Sequence, residues 1–186
     1  MGSPKELYIE RLNITILKHR SVFFFCLLII SVGINSCGVY SFTGTNISPA
    51  IQTIFVDNFL NISGSGPADL SQVFSEGLRE TYQQNTNLEV IMEPADLTVN
   101  GEIISYQVMP VSPNPNEVAD INRLKIVVRV NYFNRVNPEQ DFENKQFSFF
   151  ADFPQTQALQ DVEEDLIDEI FRQLYLEIFT ETVANW

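Results

Sequence analysis

Clear alternation of apolar and polar residues between positions 122 and 136 is the feature that most constrains the fold of this chain. The apolar set consists of Leu124, Ile126, Val128, Val130 and Tyr132. A period of two places successive side chains on opposite faces of a β-strand, so one face of this strand is buried. Segment 141–153 repeats the pattern after the turn residues 137–140. The two segments therefore predict a long antiparallel hairpin with one apolar face.

Two further segments, and a weaker third, have the composition of strands. Residues 51–59 are rich in β-branched and aromatic side chains, and residues 96–110 alternate in the same way. The alternation in 96–110 changes phase at Ile103 and Ile104, which predicts a β-bulge there. Residues 88–92 are a short additional candidate.

Two segments show the spacing of amphipathic helices. In 69–84 and again in 161–184, apolar residues recur every three to four positions. Each helix begins at an aspartate with a Gln or Glu three positions later, which predicts a capping box at both N-termini. Gly77 lies within the first apolar stripe, and we expect it to mark a close approach of the helix to the sheet.

The order of these elements defines the predicted fold class. It is β-α-(β)-β-β-β-α, without an internal repeat. Both helices have a single apolar stripe, and the simplest way to bury two stripes is to pack them on the same face of one sheet. We therefore predict an α+β domain with two helices on one face of a four-stranded, mostly antiparallel or mixed sheet.

The N-terminal region has the organisation of a bacterial lipoprotein precursor. A basic patch at residues 18–20 precedes an apolar run at 21–34, which is too short to span a bilayer comfortably as a helix and is typical of a signal peptide. Residues 34–37, Ile-Asn-Ser-Cys, resemble a lipobox, with Cys37 as the acceptor of lipid. We predict a signal peptide at 1–36, a lipidated tether at 37–49 and a single domain at 50–186.

Composition excludes several classes of function. The segment after the predicted cleavage site carries 22 Asp and Glu against seven Lys and Arg, a difference of about −15 that disfavours binding to nucleic acid. The only histidine of the full chain, His19, lies in the predicted signal peptide, and Cys37 is consumed by lipid in this prediction, so His- and Cys-based catalysis and metal ligation are removed. We therefore predict a protein that is not an enzyme and needs no cofactor.

Three of the basic residues lie on one face of the 122–136 strand: Arg123, Lys125 and Arg129. One interpretation is a face that meets an anionic ligand, such as a lipid phosphate, or a partner. The other, which we favour, is cross-strand pairing with acids such as Asp141 and Glu143 on the returning strand.

Several short motifs together resemble the LptE-like lipopolysaccharide-assembly lipoproteins in the form found in Bacteroidetes. They are Cys37-Gly38-Val39-Tyr40-Ser41-Phe42, Leu70-Ser71-Gln72-Val73-Phe74 with Leu78, Ala95-Asp96-Leu97 with Gly101-Glu102-Ile103, Asn122-Arg123-Leu124, Ala151-Asp152-Phe153 and Val183-Ala184-Asn185-Trp186. The resemblance implies two helices against a four-stranded sheet. It also implies a protein that plugs the LptD outer-membrane barrel, supports its assembly and helps to insert lipopolysaccharide into the outer leaflet.

The resemblance also implies partners and a location. The partners are a membrane, reached through the lipid, an LptD-like β-barrel protein, and possible direct contact with lipopolysaccharide. No acidic residue follows Cys37 in Gly38-Val39-Tyr40-Ser41, which is unlike inner-membrane retention and surface-export signals. We therefore expect the periplasmic side of the outer membrane and the lumen of the barrel.

Two other classes of function are kept as alternatives. Residues 54–59 and 95–101 also resemble periplasmic domains of the LpoB and TolB amino-terminal type, which act on cell-wall synthases or envelope complexes. A lipid-anchored hydrolase is the remaining class, and it lacks a nucleophile–base set.

Overall fold

The computed structural model describes residues 47–111 and 121–184. The strands and helices are, in chain order, β1 (Thr53–Val56), β2 (Leu60–Asn61), α1 (Leu70–Asn85), β3 (Glu89–Val90), β4 (Leu97–Val111), β5 (Ile121–Asn134), β6 (Phe142–Pro154) and α2 (Glu163–Phe179). Short 3₁₀ turns at Pro138–Gln140 and Leu159–Asp161 precede β6 and α2, and a π-helical turn, Thr180–Ala184, follows α2.

Within the described residues, the sheet has six strands rather than the predicted four. Its order is β3-β1-β4-β5-β6, and β2 pairs with β4 outside this path. The pairs β1–β3, β1–β4 and β2–β4 are parallel, whereas β4–β5 and β5–β6 are antiparallel. The α+β class and the mixed sheet are confirmed. The short candidate at 88–92 is present as β3, but it was not counted among the four strands. The other additional strand, β2, was missed because its two residues are too few to carry a periodic signal.

The predicted hairpin and its bulge are both present. β5 pairs with β6 from Ile121 opposite Pro154 to Tyr132 opposite Phe142. The register of β4 against β5 shifts between Ile103 and Ser105, where the sequence changes phase. The bulge returns the apolar side chains of β4 to the covered face, so that Tyr106 after the bulge is buried like Ile103 before it.

Both helices pack on the same face of the sheet, as predicted. Five residues of β5 and the apolar stripes of α1 and α2 belong to one continuous core. In α1 the stripe includes Phe74, whose ring meets those of Phe59 and Phe171 at centroid distances of 4.9 Å in edge-to-face geometry. This aromatic contact joins both helices to the chain segment between β1 and β2.

The predicted capping boxes are absent. The side chains of Asp69 and Val162, which occupy the two N-cap positions, make no capping hydrogen bond. Asp161 lies inside the 3₁₀ turn that leads into α2, so it is one residue too early to cap the helix. At α1, Gln72 donates its side-chain N–H to Glu76 along the helix instead of reaching back to Asp69.

Gly77 marks a close approach, but to the other helix and not to the sheet. The ring of Tyr175 in α2 lies over Gly77, at a distance that leaves no room for a methyl group. The Tyr175 hydroxyl donates to the carbonyl of Val73 at 3.2 Å. The prediction of a helix–sheet contact was wrong because the apolar period identifies a buried face without identifying the element that covers it.

Candidate functional site

The face of the sheet opposite the helices carries the three cations identified in the sequence. Alternation along β5 buries the even-numbered residues from Leu124 to Asn134 and turns Arg123, Lys125 and Arg129 to the opposite side. The structure thus places the three side chains on the same face of one strand. Their neighbours on β4 and β6 decide how much of this positive charge is free.

Arg129 is paired across the strands. Its guanidinium donates to the carboxylate of Glu102 on β4 at 2.5 Å. One step along the same face, the Asn131 side-chain amide donates to Asn100 at 2.8 Å. These two contacts fix polar side chains on adjacent strands in one arrangement.

Arg123 makes more contacts with its neighbours than Arg129 does. Its Nε and Nη2 donate to the two carboxylate oxygens of Asp152 at 2.7 and 2.8 Å, and its guanidinium lies 3.6 Å from the ring centroid of Phe150. The hydrogen bonds from Arg123 lower the pKa of the Asp152 carboxyl. A bidentate pair with a stacked ring leaves little freedom for Arg123 to bind another anion.

Cross-strand pairing is therefore confirmed for two of the cations, although with other acids than those expected. The register places Asp152 opposite Arg123, and it places Asp141 beyond Phe142, at the far end of the hairpin. There the Asp141 carboxylate accepts the backbone N–H of Asn134 at 2.7 Å. A sequence fixes which residues face outward, but the register that selects their partners depends on the length and shape of the turn.

Lys125 differs from the two arginines. Its cross-strand neighbours are Gln107 and Phe150, and no carboxylate in residues 47–111 or 121–184 pairs with it. The open sheet face consequently has one uncompensated cation beside two compensated ones. Whether this face meets an anionic group stays a prediction.

A second polar centre, at Asp96, was not identified from the sequence. Its carboxylate accepts the backbone N–H groups of Gln52 and Thr53 at 3.0 and 3.1 Å, the Thr53 hydroxyl at 2.9 Å and Arg135 at 2.8 Å. These bonds, the one from Gln52 foremost, lower the pKa of Asp96 to about 2. The carboxylate fastens the start of β1 to β4 and to the end of β5, which is a structural role.

A cavity of about 230 Å³ lies at the same end of the sheet. Its lining includes Leu97, Tyr132, Asn134 and Val183. The Asn134 amide already donates to Gln140 at 2.8 Å, and its oxygen accepts two backbone N–H groups. Across the described ranges, every buried side-chain N or O atom has a hydrogen-bond partner. The buried polar groups around the cavity are therefore already paired within the protein.

Metal-binding clusters and membrane-spanning helices are both absent from the described part of the chain. No group of three or more His, Cys, Asp or Glu side chains in 47–111 and 121–184 is arranged to hold a metal ion. No helix within these ranges is long and apolar enough to cross a bilayer. Cys37 and His19 lie outside the described residues.

Two helices on one face of a mixed six-stranded sheet, with a polar opposite face, define a small α+β domain. Residues 51–182 match the family model of LptE, described as lipopolysaccharide-assembly. The chain belongs to this family, which confirms the resemblance carried by its short motifs and places it among proteins of lipopolysaccharide assembly. No match was found among curated proteins.

Solved structures provide likenesses at low sequence identity. The hypothetical protein CT253 from Chlamydia trachomatis superposes with a TM-score of 0.51 at 13% identity, over 73% of this chain and 99% of that one. Lipoprotein B from Nitrosomonas europaea superposes with a TM-score of 0.47 at 12% identity, over 69% of this chain and 79% of that one. Rare lipoprotein B from Shewanella oneidensis superposes with a TM-score of 0.44 at 11% identity, over 69% of this chain and 90% of that one. The first likeness shows a shared fold, and at this identity it carries no information on function.

Proposed function

We propose that this protein is a lipoprotein attached through Cys37 to the periplasmic face of the outer membrane. We further propose that its domain plugs an LptD-like β-barrel and supports the assembly of that barrel for lipopolysaccharide insertion. The observation that carries the proposal is the match of residues 51–182 to the lipopolysaccharide-assembly family. In this role the protein acts by binding and positioning a partner, without catalysis and without a cofactor.

The open face of the sheet supports a role inside a polar lumen. The interior of an outer-membrane barrel is polar, so a plug needs side chains that are hydrophilic and already ordered. The pairs Arg123–Asp152 and Arg129–Glu102 meet this need because each charge is compensated before any partner arrives. Burying such a face costs less than burying isolated charges.

The length of the hairpin also suits this role. β5 has 14 residues, which at about 3.3 Å per residue extend over about 46 Å. The outward apolar band of an outer-membrane barrel is about 25 Å tall. A hairpin of this length reaches through such a barrel from one rim to the other, so one rigid sheet can contact the wall at several levels.

The first test is the identity of the partner. Full-length tagged protein, extracted from its own membranes in mild detergent, is expected to retain an LptD-like barrel in a fixed ratio through two purification steps. Depletion of the chain is expected to lower the amount of folded barrel. Recovery of a peptidoglycan synthase or a Tol-type complex in place of the barrel would support the LpoB or TolB type of function and overturn the plug.

A further inference from the structure

One edge of the sheet is long and regular, whereas the other is short and interrupted. β6 is the last strand of the order β3-β1-β4-β5-β6, and its ladder with β5 is continuous from Lys145 to Pro154. The opposite edge is divided among the short strands β3, β1 and β2. Short strands and prolines protect an edge from pairing with another chain, and β6 has its one proline at its last residue. The edge of β6 therefore lacks these two kinds of protection.

The outer backbone groups of β6 have no backbone partner in the described part of the chain. In an antiparallel edge strand, alternate residues point their N–H and C=O away from the neighbouring strand. Outside the ladder with β5, no backbone group of residues 145–153 bonds to another backbone group within 47–111 or 121–184. The edge thus presents a row of donors and acceptors that an extended chain can satisfy.

The hydrophobic core reaches this edge on the side of the helices. α2 packs on β6, where Phe147, Ala151 and Phe153 are buried and Phe149 is half-buried. A strand added to β6 would place alternate side chains beside these residues, on the same side of the sheet. Those side chains would therefore cover apolar surface.

The side of α2 that faces the edge of β6 is acidic. Phe171 and Tyr175 contact α1 from one side of α2. Helical periodicity places Glu169, Gln173 and Glu177 on the other side, towards the outer edge of β6, and we call these three residues the α2 flank. All three are exposed, and neither glutamate belongs to an ion pair within the described residues.

Lys145 shows how a cation fits next to this flank. It belongs to β6, and its Nζ lies 2.8 Å from the carboxylate of Glu181, in the π-helical turn that follows α2. The same Nζ lies 5.2 and 5.7 Å from the ring centroids of Phe142 and Phe147. One lysine thus contacts aromatic rings and pairs with an acid of the helical layer. A lysine on an added strand would meet the same combination, with Glu177 about one turn before Glu181.

These features select the occupant of the edge. An antiparallel pair of β6 strands from two copies of the chain would bring two acidic flanks together on one side of the joined sheet, which opposes self-association. We propose that β6 accepts an extended segment of a partner protein by strand addition, with Lys or Arg at alternate positions directed towards the α2 flank. Its other side chains lie on the open sheet face beside Ser148 and Phe150. This inference does not depend on the barrel.

The first test uses a labelled peptide and the full-length chain in a nonionic detergent. The peptide has about ten residues, the length of a long strand, with lysine alternating with threonine or valine. Fluorescence anisotropy, with empty micelles as the blank, is expected to show saturable binding that weakens with added salt. Hydrogen exchange is expected to slow more in β6 than in α1 when the peptide is added. Absence of saturable binding, or equal slowing in both elements, would overturn the proposal.

N-methylated peptides test the backbone contact. Methyl groups on alternate backbone nitrogens block one edge of a strand, and methyl groups on the remaining nitrogens block the other edge. Only one edge of the peptide can pair with β6, so one of the two methylated peptides is expected to lose affinity about tenfold and the other to change less than about threefold. Equal affinities of the two methylated peptides would overturn strand addition.

Matched variants of α2 test the charge contact. Glu169→Gln/Glu177→Gln removes the acids of the α2 flank and is expected to weaken binding about fivefold. Glu164→Gln/Asp168→Asn removes two exposed acids of the same helix on the side of α1, and it is expected to change the affinity less than about twofold. Equal losses in the two double variants would overturn the assignment of the flank. A concentration-dependent dimer that the peptide dissociates would overturn the partner segment in favour of a second copy.

Discussion

Asp96 is the residue whose charge the fold stabilises most clearly. Four hydrogen bonds to its carboxylate favour the ionised form and keep its pKa at about 2. A carboxyl with a lower pKa in the folded than in the unfolded state stabilises the fold above its unfolded pKa, near 4. This contribution is lost as the pH falls from about 4 towards 2.

Asp96→Asn tests this assignment. The amide oxygen can still accept hydrogen bonds, but the charge and the pair with Arg135 are lost, so we expect a destabilisation of about 1–3 kcal/mol at pH 7. The difference from the unchanged chain is expected to shrink as the pH falls towards 2, since Asp96 itself then becomes neutral. Chemical denaturation at several pH values measures both effects, and exposed Glu139→Gln, with an expected change below about 0.5 kcal/mol, is the control. A pH-independent difference would contradict the pKa explanation.

At this scale the sequence identifies which residues face outward but not what they touch. The period of β5 placed Arg123, Lys125 and Arg129 on one face correctly. Their acidic partners, and the bonds that surround Asp96, join residues up to 44 positions apart in the chain. Such contacts depend on strand register and on the packing of loops, which a periodic pattern does not contain.

Among the elements, β5 allows the sharpest comparison, because adjacent residues lie on opposite faces. Val128 is fully buried under the helices, whereas Val127 lies on the open face between Ser105 and Ser148. Val128→Asp places an unpaired charge in the core and is expected to cost several kcal/mol, enough to unfold the domain. Val127→Asp makes the same chemical change on the solvent side and is expected to leave a cooperative folding transition. Circular dichroism during thermal denaturation measures the folding transition of both variants. A folded Val128→Asp chain would mean that the faces of β5 are reversed.

Gly77 tests the contact between the two helices. Alanine in a helix interior is normally favoured over glycine by about 1 kcal/mol. Here its methyl group would collide with the ring of Tyr175, so Gly77→Ala is expected to destabilise the domain by about 1–2 kcal/mol. In a Tyr175→Leu background the same substitution is expected to be neutral or stabilising. Urea denaturation of the unchanged chain, the two single variants and the double variant measures the coupling free energy between positions 77 and 175. Additivity of the two changes would contradict the proposed packing.

The elements that could be predicted are those with enough residues to show a period. α1, α2 and the three long strands satisfy this condition, and so does the bulge in β4, since it reverses an established alternation. β2 has only two residues and exists because it pairs with Glu102 and Ile103 of β4. The predicted cap of α2 failed because the 3₁₀ turn before α2 shifts the helix start beyond Asp161, whereas Asp69 occupies the N-cap of α1 without a capping hydrogen bond.

On the scale of the whole molecule, the charge is divided between two sides. On the open sheet face, Arg123 and Arg129 are paired with carboxylates. The acids within α1 and α2 form no ion pair with a Lys or Arg side chain among the described residues. A domain with these two sides can present an ordered polar face to one environment and a negative, partly apolar face to another. This division follows from the fold, since the hairpin alternation directs the three cations to the side that the helices leave open.

The proposed lipid anchor determines where such a domain can act. The basic patch, the apolar run and the Ile-Asn-Ser-Cys sequence predict cleavage before Cys37 and acylation of its thiol. With two or more acyl chains, at about 0.8 kcal/mol for each buried methylene, release into water becomes negligible. The first described residue, Ile47, lies ten positions after Cys37, so a lipid on Cys37 would be separated from the domain by at most about 36 Å of chain.

Cys37→Ala tests the anchor. Without the thiol the precursor has no acceptor for lipid, so we expect an uncleaved chain of higher apparent mass that incorporates no palmitate analogue. Ser36→Gly, which keeps a small residue beside the scissile bond, is the matched control and is expected to be labelled and cleaved normally. Because the core formed by the described residues 47–111 and 121–184 is built without Cys37, Cys37→Ala is expected to leave the thermal transition of the domain unchanged while it removes the protein from the outer-membrane fraction. Normal labelling of the Cys37→Ala chain would mean that lipid is attached elsewhere, and the proposed position of the domain beside a barrel would then lose its physical basis.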